Sequence, residues 1–249
     1  MTDPLPALAR LSAIMARLRD PVAGCEWDRA QDFASVAPYT IEEAYEVVDA
    51  IERGNISDLR EELGDLLLQI IFHAQIAEDK GHFCLAEVAD GIADKMERRH
   101  PHIFGAASAA PDWESAKALE KQRDGALDGV ATALPALMRA DKLQRRASRI
   151  GFDWPDAAGP RAKIVEEAAE FDAATTLSER TDEGGDLLFS VVNLLRHYGV
   201  DPEVALRGAN AKFEQRFRAM EAIAGLSFAE LDFTAKEALW KQVKGAIGI

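Results

Sequence analysis

Carboxylates in this chain of 249 residues stand in clusters at helical spacing. Glu43 and Glu46 are three apart, as are Glu62 and Asp65, so each pair shares one face of a helix. The set returns as Glu167 and Glu170, then Glu183 and Asp186. Asp65 and Asp186 run straight into Leu66-Leu67-Leu68 and Leu187-Leu188-Phe189. Acid pairs on a helix are usually solvated surface. Aimed at an apolar segment they are costly unless a cation neutralises them. If the two helices of each set pack antiparallel, four carboxylates converge on one point. Oxygen ligands with no nearby cysteine suit a hard cation. Mg²⁺ fits best, with Mn²⁺ as a substitute, because it commonly bridges carboxylates to phosphate oxygens. Glu166 or Glu167, where not fully engaged by metal, is the candidate base for an attacking water.

Phosphate contact needs cations of the protein's own. Lys95 and Arg99 are four apart on one helix face, and Lys212 and Arg216 repeat the spacing. Such a pattern is often a solvated ion-pair face; its recurrence in an acidic chain favours phosphate, which Arg meets with a planar fork. Lys163, four before Glu167, is a further candidate. Trp113 and Trp240 could stack on a base or pack in a core, whereas Trp27 and Trp154 read as structural. Lys163, Asn193 and Asn210 stand where the first half has Tyr39, Phe72 and Ala93. These polar groups can hydrogen-bond a nucleotide, and the second half is expected to carry the main turnover. No Gly-x-x-x-x-Gly-Lys-Ser/Thr loop occurs, and no spacing nominates a nucleophile. Glu97-Arg98-Arg99-His100 is a single Glu-x-x-His, whereas a di-iron bundle wants two. His100 and His102 read as a helix end at Pro101.

The elements that must position these groups are helical. Ile41, Ala44, Tyr45, Val48 and Ile51 recur at amphipathic spacing. The stretch from Leu63 to Ala77 is apolar on nearly all sides and is expected to be deeply buried. No alternating β-branched run suggests a strand, so the fold class is all-α. The chain also repeats itself. "IEEAYEVVDA" from Ile41 echoes "VEEAAEFDAA" from Val165, and "EELGDLLLQIIFHAQ" echoes "DEGGDLLFSVVNLLRH". "LPALARLSAIMARLRDPVAGCEWD" echoes "LPALMRADKLQRRASRIGFDW", "KMERRH" echoes "KFEQRF", and "WESAK" echoes "WKQVK". The order is kept at an offset of about 120 positions, the mark of a tandem duplication. Two four-helix-bundle-like modules are expected, residues 1–120 and 121–249, joined in an Ala-, Gly-, Asp- and Ser-rich stretch.

A formal net charge of −14 and a pI near 4.8 make nucleic acid an unlikely partner. The N-terminal "MTDPLPALAR" has no signal-peptide pattern, and no apolar run is long enough to span a membrane. Cys25 and Cys84 read as free thiols. A cytoplasmic location is expected.

"PYTIEEAYEV", "ELGDLL", "ERRHPHIFG", "LPALMRA" and "GFDW" together resemble the all-α MazG-type nucleoside triphosphate pyrophosphohydrolases, over almost the whole chain. The resemblance implies Mg²⁺-dependent cleavage of NTPs and dNTPs to the monophosphate plus pyrophosphate, a homodimer, and a role in nucleotide-pool housekeeping. The chain departs from the family pattern in three places. Cys25-Glu26-Trp27-Asp28 stands where Cys-Pro-Trp-Asp is usual, and Asp182 and Gly184 where Glu and a larger residue are usual. The link from Glu170 to Glu183 is 13 positions against 16 from Glu46 to Glu62. The rival reading is a non-catalytic helical module that sequesters nucleotides or binds a regulator; metal-dependent turnover separates the two.

Overall fold

The computed structural model describes residues 3–105 and 125–247. Every regular element among them is helical, as the periodicity predicts. They divide into two compact units, one within Met1–Glu120 and one within Lys121–Ile249. The first unit contains α1 (Leu5–Leu18), α2 (Glu26–Ala30), α3 (Phe33–Glu52), α4 (Ile56–Asp79), α5 (Leu85–Arg99) and α6 (Pro101–Phe104). The second contains α7 (Ala136–Arg149), α8 (Ala158–Ala173), α9 (Leu177–His197), α10 (Pro202–Ala224), a 3₁₀ turn (Gly225–Glu230) and α11 (Phe233–Ile247). No helix among the described residues is long and apolar enough to cross a membrane.

Each unit is organised on a helical hairpin, α3–α4 or α8–α9. Local chemistry sets both hairpin turns. Gly54 ends α3 in the left-handed region at φ 67°, which glycine adopts without a Cβ clash. Asn55 Oδ1 then accepts from the N–H groups of Ser57 and Asp58 and starts α4. In the second hairpin Thr176 opens α9 with a capping box. Its hydroxyl accepts from Glu179 N–H, and Glu179 accepts from Thr176 N–H at 2.9 Å and Thr175 N–H at 2.8 Å. Those backbone bonds, Thr176 first, hold the Glu179 carboxyl down at about 2.

The first unit's core is Met15, Val36, Ile71, Phe72 and Ile76, with Leu11, Phe33, Leu67, Leu68 and Leu85 against it. Helix α4 is not buried all round, as its composition suggested. Among the described residues α1, α3 and α5 pack on it and Trp27 of α2 meets Phe72, while Leu63 and Ile70 face outward, about half exposed. Helix α3 differs in the same sense. Its buried residues are Val36 and Ala50, while Ile41, Tyr45 and Ile51, on the stripe expected to be core, are exposed. The partner helix takes the Val36–Ala50 stripe, and the second apolar stripe is left uncovered. His100 ends α5 as the sequence suggests, but Pro101 opens a further short helix, α6, and His102 lies within it.

Arginine clamps secure the loops beside the hairpins. Arg19 donates to Asp79 at 2.7 Å and to the carbonyls of Asp28 and Gln31. Arg196, on α9, pairs with Asp153 through both Nη atoms. The Arg196 hydrogen bond holds the Asp153 carboxyl below its usual range. The stability from this pair is therefore complete above the unfolded aspartate value of about 3.9 and disappears as pH falls through the lower folded value. Asp153→Asn should cost about 1–2 kcal/mol in urea melts at neutral pH. The gap between variant and wild type should close in the same melts at about pH 3.

Candidate active site

A seven-residue stripe on α3 runs Val36, Glu43, Ala50, and the first and last of these are buried against the hairpin partner. Glu43 therefore sits where a packing residue belongs. Helix α8 repeats the arrangement with Pro160 and Glu167, both buried, and Glu167 is 3% exposed. Opposite them, α4 presents Glu62, Asp65, Gln69, Phe72 and Ile76 at three- and four-residue spacing, and α9 presents Glu183, Asp186, Ser190, Asn193 and His197. Each hairpin seam thus begins acidic.

In the first seam single oxygens of Glu43, Glu62 and Asp65 lie within 4.8 Å of one another. In the second, Glu167, Glu170 and Glu183 do so. Three of the four expected carboxylates meet in each seam, and the fourth differs. Glu46 is exposed and contacts Glu62, while Asp186 is exposed near Glu183. The three-residue-shorter link of the second hairpin, close to one turn, shifts its register and brings Glu170 rather than the second helix's Asp into the trio.

Electrostatics marks both clusters. Burial, then Asp65, Glu46 and Glu42, push the Glu43 carboxyl above its usual range. Glu62 is raised by burial and Glu46, and Glu183 by burial, Glu170 and Glu167. Gln69 Nε2 reaches Glu43 at 3.5 Å. The second seam has its own cation: Lys163 Nζ lies 2.6 Å from Glu167 and 2.9 Å from Glu166. Those two hydrogen bonds, Glu167 first, raise the Lys163 ammonium far above its usual value. Three close carboxylate oxygens, with no sulfur or imidazole among them, form a donor set that fits a hard divalent cation.

The remaining candidates sit on other helices. Lys95 is half-buried and Arg99 buried on α5, which packs on α4. Asn210 and Lys212 are exposed on α10, and Arg216 on the same helix lies over the Trp240 ring at 5.6 Å. Trp240 also meets Phe213, with ring centroids 5.5 Å apart. Trp113 lies outside the described residues. The sequence reading missed Ser190, buried one turn after Asp186. A polar residue four beyond a cluster acid, inside an apolar run, was the available signal.

Residues 31–104 match the family described as the MazG nucleotide pyrophosphohydrolase domain. Residues 144–212 match the phosphoribosyl-ATP pyrophosphohydrolase family. The chain is similar to the nucleoside triphosphate pyrophosphohydrolase of Escherichia coli, at 46% identity over 94% of this chain and 96% of that protein. It is 44% identical to the nucleoside triphosphate pyrophosphohydrolase/pyrophosphatase MazG of Thermotoga maritima, over 94% of each. A Mycobacterium tuberculosis nucleoside triphosphate pyrophosphohydrolase is 40% identical over 66% of this chain and 52% of its own length.

Removing one charge from the second trio separates repulsion from ligation. Glu183→Gln should raise the melting temperature in EDTA, because a carboxylate raised by its neighbours carries its full repulsion once pH exceeds its folded value. The same variant should weaken Mn²⁺ binding, read by water-proton relaxation, by about tenfold or more. A lower metal-free melting temperature with unchanged Mn²⁺ affinity would contradict both halves.

Proposed function

The chain belongs to the MazG family of nucleoside triphosphate pyrophosphohydrolases, and we propose that it hydrolyses NTPs and dNTPs at the α-phosphate, releasing monophosphate and pyrophosphate. The observation that carries this reading is the convergence of Glu167, Glu170 and Glu183 beside Lys163. Glu167, Glu170, Glu183 and Asp186 would hold Mg²⁺ in the second unit; Glu43, Glu46, Glu62 and Asp65 would do so in the first, with Mn²⁺ as substitute. When bound, the cation offsets phosphate charge and acidifies a water.

The chain's own residues supply the rest. Glu166 is exposed and paired to Lys163, and it can accept the proton of the attacking water, with Glu167 as its alternate. Lys212 and Arg216 offset charge on the departing pyrophosphate. Trp240 enters through Arg216, whose guanidinium it orients by a cation–π contact. Asn193 and Asn210 offer hydrogen bonds to sugar or base. Lys95 and Arg99 are the first unit's counterparts. In-line displacement is then mostly positioning and charge neutralisation. The second unit is the main site, because Lys163 stands where the first has Tyr39.

The assembly is a homodimer in this reading. Ile41, Tyr45 and Ile51 form an uncovered apolar stripe on α3 of the first unit, and Val165, Leu188 and Phe213 are exposed in the second unit. Free Cys25 and Cys84 suit a reducing cytoplasm. The net charge of −14 opposes nucleic-acid binding.

Incubation with an NTP and dNTP panel plus Mg²⁺ should give monophosphate and pyrophosphate by ion chromatography. Nucleoside diphosphate with orthophosphate, or undiminished activity in EDTA, would defeat the reading. Asp186→Ala should remove most turnover, with folding checked by circular dichroism, and Asp65→Ala should leave most of it. The opposite outcome would move the site to the first unit. Light scattering should give twice the 27.2 kDa chain mass at micromolar concentration.

A further inference from the structure

We propose that a cavity of about 560 Å³ beside the C-terminal half of α9 receives the nucleobase of the substrate, with Gln144 and Arg196 reading its edge. This deepens the reading of the second unit as a nucleotide hydrolase and rests on it. The volume is that of a small-ligand site, and the walls include Leu143, Phe152, Trp154 and Phe189. Trp154 is seated by Gly159: any Cβ there would come within 2.4 Å of the indole. The sequence alone marked Trp154 as structural; its place in this wall gives it a ligand-facing role as well.

Two polar groups in this apolar setting lack a partner. Gln144 is 5% exposed, and its Nε2 donates to the Phe189 carbonyl at 2.9 Å. That bond fixes the amide and leaves Oε1 buried with no hydrogen bond. The Arg196 side chain is 9% exposed; its Nη atoms serve Asp153 and Asn193, and Nε is buried without a partner. An unmet buried acceptor and an unmet buried donor on residues lining one cavity are unfavourable until a ligand answers both. A planar heterocycle with an N–H next to a ring nitrogen or carbonyl does so, and aromatic walls suit its faces. Asn193 follows Asp186 by seven residues on α9, two turns and about 10 Å along one stripe, so a base here directs its phosphates toward the acids.

The first unit supplies an internal control. Its counterparts of Trp154 and Asn193 are Trp27 and Phe72. Phe72 is 5% exposed, meets Trp27 edge-on at 6.3 Å, and carries the Arg19 guanidinium over its ring at 5.6 Å. Where the second unit places Asn193 on a cavity wall, the first has the core residue Phe72.

Asn193→Phe copies that filling. In the full chain with Mg²⁺ it should raise KM for NTPs about ten- to hundredfold, while Mn²⁺ affinity stays within about twofold. Gln144→Leu should change the ranking among bases. Adenosine, guanosine, cytidine and uridine, which carry no phosphate, should receive saturation transfer from the wild type in EDTA and lose it in Asn193→Phe. Folded variants with unchanged KM, base ranking and nucleoside binding would overturn the proposal and leave the hydrolase reading intact. A wild type that turns over no NTP would overturn that reading instead. Nucleoside binding would then decide the cavity alone, its absence from the wild type counting against it.

Discussion

Like-charge repulsion inside a helical hairpin is the constraint on which this structure turns. Three carboxylates with oxygens within 4.8 Å drive each other apart, and helix packing must hold them. The hold comes from placement. Glu43 lies midway between buried Val36 and Ala50, and Glu167 lies seven residues after buried Pro160, so neither can turn to water without unpacking its seam. The caps at Asn55 and Thr176 fix the second helix of each hairpin where it starts, and so fix which acids face which. A site strained in this way has a standing affinity for positive charge, which is what a phosphate-handling centre requires.

One scaffold carries two different seams. Beyond its acids, α4 continues with Gln69, Phe72 and Ile76, all buried, and the hairpin closes as core. Helix α9 continues with Ser190, Asn193 and His197 and stays polar for its length. The three-residue-shorter link in the second hairpin exchanges an aspartate for Glu170 in the trio, and Lys163 reaches in from α8 where Tyr39 stands in α3. Register and side-chain polarity change together, so the second seam offers a cation, hydrogen-bonding groups and room.

Much of this was legible in the sequence, for a definite reason. Acid pairs three apart entering an apolar run, repeated in order, leave few arrangements other than facing helices. Other features depended on what packs where. The Ile41–Tyr45–Ile51 stripe has the periodicity of a core face, but Val36 and Ala50 are the residues α4 covers. Periodicity gives a stripe and not its occupant. Gln144 could not be found at all: it lies in the strongly polar "DKLQRRASR" of α7, and its burial depends on Phe189, 45 residues away.

The contrast between the seams also changes what the stabilising devices hold. Burying a Phe side chain contributes about 1.5–3 kcal/mol, and Asn193 gives up that contribution at the position where the first unit has Phe72. A seam that gives up that burial is held from its edges. The second unit has the capping box at Thr176, the Asp201 cap of α10, and the Arg196–Asp153 clamp fixed to the same helix that carries Glu183 and Asp186. In the first unit Arg19 lies over Phe72 and ties α1 to the end of α4, so charge there reinforces core. Duplication permits such a difference: past its acids one copy closes its seam as core, while the other lines a cavity with polar groups.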